Sequence, residues 1–292
     1  MIERWTWDRY KRSDDKLLHT YMLWDYLADI QFHQKKVPFR KGEKIRIVFL
    51  YQIASFWPSW ELLFEAMKED NRFNVELVLL DETAREAFQM VTAEEFLKKK
   101  NINYTLFEDF ELEEFNPHIV VIQTPYDEWH RKREHWSASF KSKGYRIIYI
   151  PYGIEISDTE DSHYMHFCQH VIVNSWRVYT FSDLMKRDYR KYSYNREAVR
   201  ALGLPRFDAL FYKERFELDD ELKQRIAGRK VILWKVHFPK IITENTKEVF
   251  VTPDVNEYLR FANKIPEYKD FFFIFMPHPR FKAPVKDEEL QY

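Results

Sequence analysis

The chain has 292 residues, 45% of them hydrophobic and 32% charged, with a formal net charge of −1; this is a globular composition, long enough for two domains or one large one, and it excludes a disordered chain. The balanced charge argues against a broad basic face for nucleic acid. Five glycines, with no GxGxxG or GxxxxGKS/T run, argue against a glycine-rich phosphate loop, and the single cysteine, Cys168, excludes an internal disulfide framework and fits a reducing, cytoplasmic compartment.

The charged start, Met1-Ile2-Glu3-Arg4-Trp5, shows no secretory leader, and no apolar run reaches membrane-spanning length. Residues 1–44 mix aromatics with charges. From Leu17 to Leu27 the apolar spacing is helical, and Lys35, Lys36, Arg40 and Lys41 follow. Two readings fit: a helix packed on the main domain, or an aromatic, basic-flanked helix touching the inner membrane surface.

From residue 45 the pattern alternates. Strands are expected over 45–51, 73–80, 103–107, 119–122, 146–150 and 171–173, with helices over 57–67, 83–99, 130–141 and 182–189, the last with Ser182 as its N-cap. Continuous apolar strands between helices indicate an α/β fold with a parallel sheet covered on both faces. A strongly charged stretch around 211–229 marks a domain boundary. Beyond it come strands over 231–235 and 271–276, with a helix between them near 256–264. The organisation is therefore an extension at 1–44, a Rossmann-like domain at 45–212 and a partial Rossmann-like domain at 213–292.

Ligands of open parallel sheets bind beyond the carboxyl ends of the strands. Those ends read Gln123-Thr124-Pro125-Tyr126-Asp127, Pro151-Tyr152-Gly153, Asn174-Ser175, Lys235-Val236-His237 and Pro277-His278-Pro279-Arg280, and residues 203–208 read Gly-Leu-Pro-Arg-Phe-Asp. The chemistry is that of phosphate handling. Arg206 and Arg280 can form paired bonds to phosphate oxygens. Gly153 allows a backbone N–H to approach a ligand. His237 and His278, with an ordinary pKa of about 6.5, can exchange a proton near neutrality. Each also has a structural reading: a histidine as a plain hydrogen-bonder, Gly203 and Pro205 as a turn, Asp208 as a helix cap, Arg206 in a surface ion pair. His163, His166 and His170 would share a helix face and could bind zinc, but their spacing matches no closed zinc signature, and lining the cleft is the simpler expectation.

The order Pro-Tyr-Gly (151–153), Gly-Leu-Pro-Arg-Phe-Asp (203–208), Ile-Leu-Trp-Lys-Val-His-Phe (232–238) and Phe-Ile-Phe-Met-Pro-His-Pro-Arg (273–280) resembles the CDP-glycerol glycerophosphotransferase family, over residues 117–281. The resemblance implies a GT-B fold of two Rossmann-like domains with the active site between them, the first on the acceptor side and the second on the nucleotide-donor side. It implies transfer of glycerol phosphate, or a related polyol phosphate, from a CDP-linked donor to a hydroxyl of a teichoic acid or capsule-type polymer, with no further cofactor and no metal. By resemblance His278 matches the catalytic or donor-phosphate-binding His of the family's His-Pro motif, and Gly203, Pro205, Arg206 and Asp208 match its inter-domain motif. From their places at strand ends, His237 is the second catalytic candidate, and Gln123, Tyr152, Gly153, Lys235 and Arg280 are expected to hold substrate with Gly203, Arg206 and Asp208. There are two departures. Tyr152 stands where many members carry histidine, and a phenol with a pKa of about 10 is a poor base at neutral pH. The Ser/Asp-rich segment that follows the His-Pro strand in the family has no counterpart here. Two other functions fit the same sequence: a non-catalytic GT-B-like binding module, and a GT-B glycosyltransferase or epimerase using a nucleotide sugar.

Overall fold

A computed structural model of the chain describes residues 16–80, 91–127, 131–154, 163, 166–193, 195–212, 217–236, 241–244, 247–250 and 255–277. They fall into two compact units, one ending at Tyr212 and the other taking up the chain from Lys213.

The first unit is built on seven parallel strands: β1 (Ile45–Tyr51), β2 (Phe73–Leu79), β3 (Thr105–Leu106), β4 (Ile119–Ile122), β5 (Arg146–Tyr149), β6 (Ser175–Thr180) and β7 (Val199–Ala201). Their spatial order is β3-β2-β1-β4-β5-β6-β7, so the chain reverses its direction of travel between β1 and β4. The central strands are apolar throughout because both faces are covered. Along β1, Val48 and Leu50 join one core with Val120, Ile122, Ile147 and Tyr149. Ile47, Phe49 and Tyr51 join the other with Val121, Ile148 and Ile150. Two-residue periodicity thus divides a single run of sequence between two cores.

The helices follow local signals. The predicted helix at 57–67 splits at Pro58 into a 3-10 turn, Ala54–Ser59, and helix α2, Glu61–Glu69. Helix α3 (Ala93–Lys100) begins at a Thr92/Glu95 capping box, so it does not run unbroken from 83 as expected; residues 81–90 lie outside those described. A short helix, α4 (Leu112–Phe115), follows β3. The described part of the 130–141 helix is a 3-10 turn, Arg133–His135, then α5 (Ser137–Ser142).

One strand was misplaced. Val171-Ile172-Val173 reads as a strand by β-propensity, but it forms α6 (His170–Asn174), with Val171 and Ile172 buried against Phe140 and Tyr149 in the first core. Propensity yields here to tertiary packing. β6 starts at Ser175, so Asn174-Ser175 is a helix end and a strand start at the amino edge of the sheet rather than the end of a strand. Helix α7 (Asp183–Tyr192) has the predicted cap, Ser182 Oγ accepting from Met185 N at 3.2 Å. Pro205 then starts the single turn α8 (Pro205–Asp208).

The chain's opening helix, α1 (Lys16–Lys35), packs on this unit. Trp24 meets Trp136 at 5.4 Å and carries the Arg133 guanidinium at 3.5 Å. Asp25 is buried against His170 and Asn174, and Lys141 bonds Asp29 at 2.7 Å. Gly144 secures the helix end: its φ is +94°, and a Cβ there would lie 2.3 Å from Lys35 O. This is the packed-helix alternative, although Leu23, Tyr26, Leu27 and Ile30 stay exposed on its other face. Among the described residues no helix is long and apolar enough to cross a membrane.

The second unit holds α9 (Asp220–Ile226), β8 (Lys230–Val236), a hairpin of β9 (Ile241–Glu244) and β10 (Lys247–Phe250), α10 (Val255–Ala262) and β11 (Phe271–Pro277). The hairpin was not foreseen. β8 and β11 pair in parallel, from Lys230 opposite Phe271 to Val236 opposite Pro277. Trp234 anchors the helix-covered face through Phe261 at 4.7 Å and Phe275 at 4.8 Å.

Candidate functional site

The strand order identifies the switch point where adjacent parallel strands send their connections in opposite directions, and such folds bind ligands outside that point. Here it lies between β1 and β4. At the end of β1 the Tyr51 hydroxyl donates to Ala54 O at 3.2 Å, fixing the 3-10 turn, and burial drives its pKa far upward. Gln123, just past β4, is buried. Its Nε2 donates to Phe56 O at 2.9 Å and to Ser59 Oγ at 2.8 Å, tying the two connections together across the switch.

The loop after β5 is fastened to the same place. Ile150 N donates to Ile122 O at 3.0 Å, and Tyr152 N to Gln123 O at 3.1 Å, extending the pairing past the strands. The Tyr152 ring stacks on Phe56 with centroids 4.0 Å apart and planes 13° apart. Both rings are half-buried. Gly153 follows, and no atom of the described residues lies within 4 Å of where its Cβ would be.

Arg206 completes the group. Gly203 turns the chain with φ +86°, which L side chains adopt at a cost. Leu204, 2% exposed, then anchors the loop in the second core, and Pro205 starts α8 with its preset φ. That sequence aims Arg206 back at Tyr152, whose carbonyl accepts from Nη1 at 2.6 Å. A guanidinium carries five N–H groups. Arg206 is half-buried and pairs with no carboxylate among the described residues, so the surface-ion-pair reading is set aside. Asp208 is exposed and makes no cap hydrogen bond, which corrects the cap reading.

Gln123, Tyr152 and Arg206 are thus brought together, with Gly153 and Gly203 beside them. Asp208 ends the same turn as Arg206 and is exposed. Lys235 stands exposed on β8 of the other unit. His237, His278 and Arg280 lie outside the described residues; β8 and β11 end immediately before the two histidines, at the paired Val236 and Pro277. Of the histidine cluster, His163 and His166 both lie against Phe167, while His170 has a separate partner. His163 stacks on Tyr192 at 3.8 Å, burial lowers the His166 pKa, and His170 Nδ1 meets Asp25.

Sequence reasoning missed Phe56 and Ser59, which no motif marks. It also missed a buried knot in the connection after β4. Arg131 donates to Asp127 Oδ1 at 2.7 Å and to Thr124 O at 2.8 Å, and Asp127 Oδ2 accepts from Ser137 N at 3.0 Å and from its hydroxyl. Its signal was the i, i+4 spacing of Asp127 and Arg131.

No family model matches the sequence, and no curated protein matches it. Among solved structures it is similar to UDP-N-acetylglucosamine 2-epimerases. That from Rickettsia bellii has 12% identity and a TM-score of 0.52 over 86% of this chain and 65% of that one. Another has 11% identity and a TM-score of 0.51 over 81% of this chain and 62% of that one. That from Neisseria meningitidis, bound to UDP-GlcNAc, has 14% identity and a TM-score of 0.50 over 85% and 69%. The chain spans less than two thirds of the first two. Likeness at this identity establishes the fold alone, an α/β fold of the GT-B type.

Proposed function

We propose that the protein acts on a nucleotide-linked donor and passes its activated group to a hydroxyl acceptor, with the carboxyl edge of the first unit holding the acceptor. The observation that carries this reading is the Gln123–Tyr152–Arg206 assembly at the β1/β4 switch. An outer face of the Phe56–Tyr152 stack suits the C–H surface of a polyol or sugar, and Arg206 has N–H groups beyond its bond to Tyr152 O for a charged oxygen. Tyr152 serves as a platform in this reading, so the missing histidine at 152 leaves proton transfer to His237 or His278. Support for these two comes from sequence: each directly follows one of two in-register parallel strands.

In the first form, suggested by the family resemblance, the acceptor oxygen attacks the donor phosphorus of a CDP-linked polyol. The bond from that phosphorus to the bridging oxygen breaks, CMP leaves, and a histidine takes the hydroxyl proton. Lys235 and Arg280 would neutralise the phosphates. In the second form, favoured by the UDP-GlcNAc bound in one structural neighbour, the donor is a nucleotide sugar. Incubation with CDP-glycerol and with UDP-sugars, each with a polyol or oligosaccharide acceptor, separates them. CMP release supports the first and UDP release the second. Acceptor binding without release of either nucleotide would leave a non-catalytic module.

A further inference from the structure

A cavity of about 380 Å³ lies at the other edge of the first unit's sheet, under α1 and against the amino ends of β5, β6 and β7. None of the residues brought together at the β1/β4 switch lines it. Its size falls within the usual range for small-molecule sites.

Two unpaired cations face it. Arg146 is only 4% exposed, yet it has no carboxylate partner among the described residues. Its Nη1 donates to Val37 O at 2.7 Å, and its guanidinium lies 4.0 Å from the Phe39 ring centroid. Burial pulls its pKa down. A buried charge without a counter-charge is expensive to keep. Arg177, half-buried, stacks on Trp176 at 4.4 Å and donates to Trp176 O at 2.8 Å, again with no ion pair among the described residues.

The acids of the cavity are mostly committed elsewhere. Asp25 is held by His170 and Asn174, and Asp29 by Lys141, leaving Glu197 exposed at the rim. Three carboxylates around one cavity repel a dianion but leave room for a single negative charge between the arginines. The cavity also offers an acceptor. Asn174, 2% exposed, spends Nδ2 on Asp25 Oδ1 at 2.7 Å and Ser137 Oγ at 3.1 Å. The carboxylate demands a donor there, which fixes the amide's orientation. Oδ1 is then buried with no hydrogen-bond partner, an expensive state unless a ligand supplies one. Trp176 and Tyr145 add flat apolar lining.

We propose that this cavity binds a small aromatic monocarboxylate, its carboxylate held by Arg146 and Arg177 and a ring-borne O–H or N–H donating to Asn174 Oδ1. The test uses 4-hydroxybenzoate, benzoate, phenol and inorganic phosphate as probes, by calorimetry and thermal shift on the full chain. 4-Hydroxybenzoate should bind best and raise the melting temperature, benzoate should bind more weakly, and phenol and phosphate should do neither. Arg177→Met should weaken 4-hydroxybenzoate by about tenfold, and Arg206→Gln should leave it unchanged. Arg146→Met should act like Arg177→Met if circular dichroism shows it folded; if not, Arg177→Met decides alone. No binding by either carboxylate up to about 10 mM, phosphate binding more tightly than carboxylate, unaltered affinity in Arg177→Met, or loss of binding in Arg206→Gln would each overturn the proposal.

Discussion

Arg206 shows how one side chain can serve both structure and chemistry. Its bond to the Tyr152 carbonyl positions the loop after β5, and among the described residues the rest of its fork has no carboxylate partner. Arg206→Gln should lower stability by only about 1 kcal/mol, since the group is half-buried. Turnover should fall by about 100-fold if the guanidinium steadies developing charge. Arg206→Lys would keep the charge without the fork and should recover little. Urea unfolding and steady-state kinetics measure the two effects, and a large stability loss with unchanged turnover would make Arg206 structural only. His118 gives a different prediction. It is 1% exposed, stacks on Phe39 at 5.2 Å, accepts from Arg46 N at Nδ1 and meets Pro38 O at Nε2. Burial, then the Arg46 charge, holds its pKa below the ordinary 6.5. The folded state therefore binds fewer protons than the unfolded one near that pH. Its contribution to stability is complete above about 6.5 and is lost as pH falls toward the folded pKa. His166 acts in the same direction. The melting temperature should drop from pH 7 to 5, and His118→Gln should flatten that slope while lowering the value at pH 7.5. An unchanged slope would remove His118 from the account.

At the scale of elements, the sequence was most legible where burial on both faces forces continuous apolar runs. The bounds of β1 and β4 came directly from such runs. It was least legible where packing overrode local preference. The β-branched residues of α6 look like a strand, and only their place against Phe140 and Tyr149 makes them helical. That error also moved Asn174 to the wrong edge of the sheet and hid the cavity it lines. The position of α1 was equally hidden, because its main anchors are polar contacts with residues far along the chain. Asp25 joins His170 and Asn174 across 145 and 149 residues. Asp25→Ala strands both partners in the interior and should cost about 3 kcal/mol. Chemical denaturation checks this, and a loss below about 1 kcal/mol would mean the contact is no firmer than a surface pair.

For the whole molecule, the fold type and the residue motifs carry different weight. The GT-B-type fold follows from strand order and structural likeness, and it leaves the chemistry open. The motif residues narrow it. Gly203-Leu204-Pro205-Arg206 was readable because each member has a local conformational reason to be there. The partners Phe56 and Ser59 were not, because their role depends on a tie across 67 and 64 residues to Gln123. The central claim is that the acceptor binds at the β1/β4 switch of the first unit. Amide hydrogen exchange, with and without a nucleotide-linked donor and acceptor, tests it most directly. Slowed exchange over 52–60, 123–127, 151–154 and 203–208, with residues 174–178 unaffected, is the predicted result; unchanged exchange in those four loops while ligand is bound would contradict it.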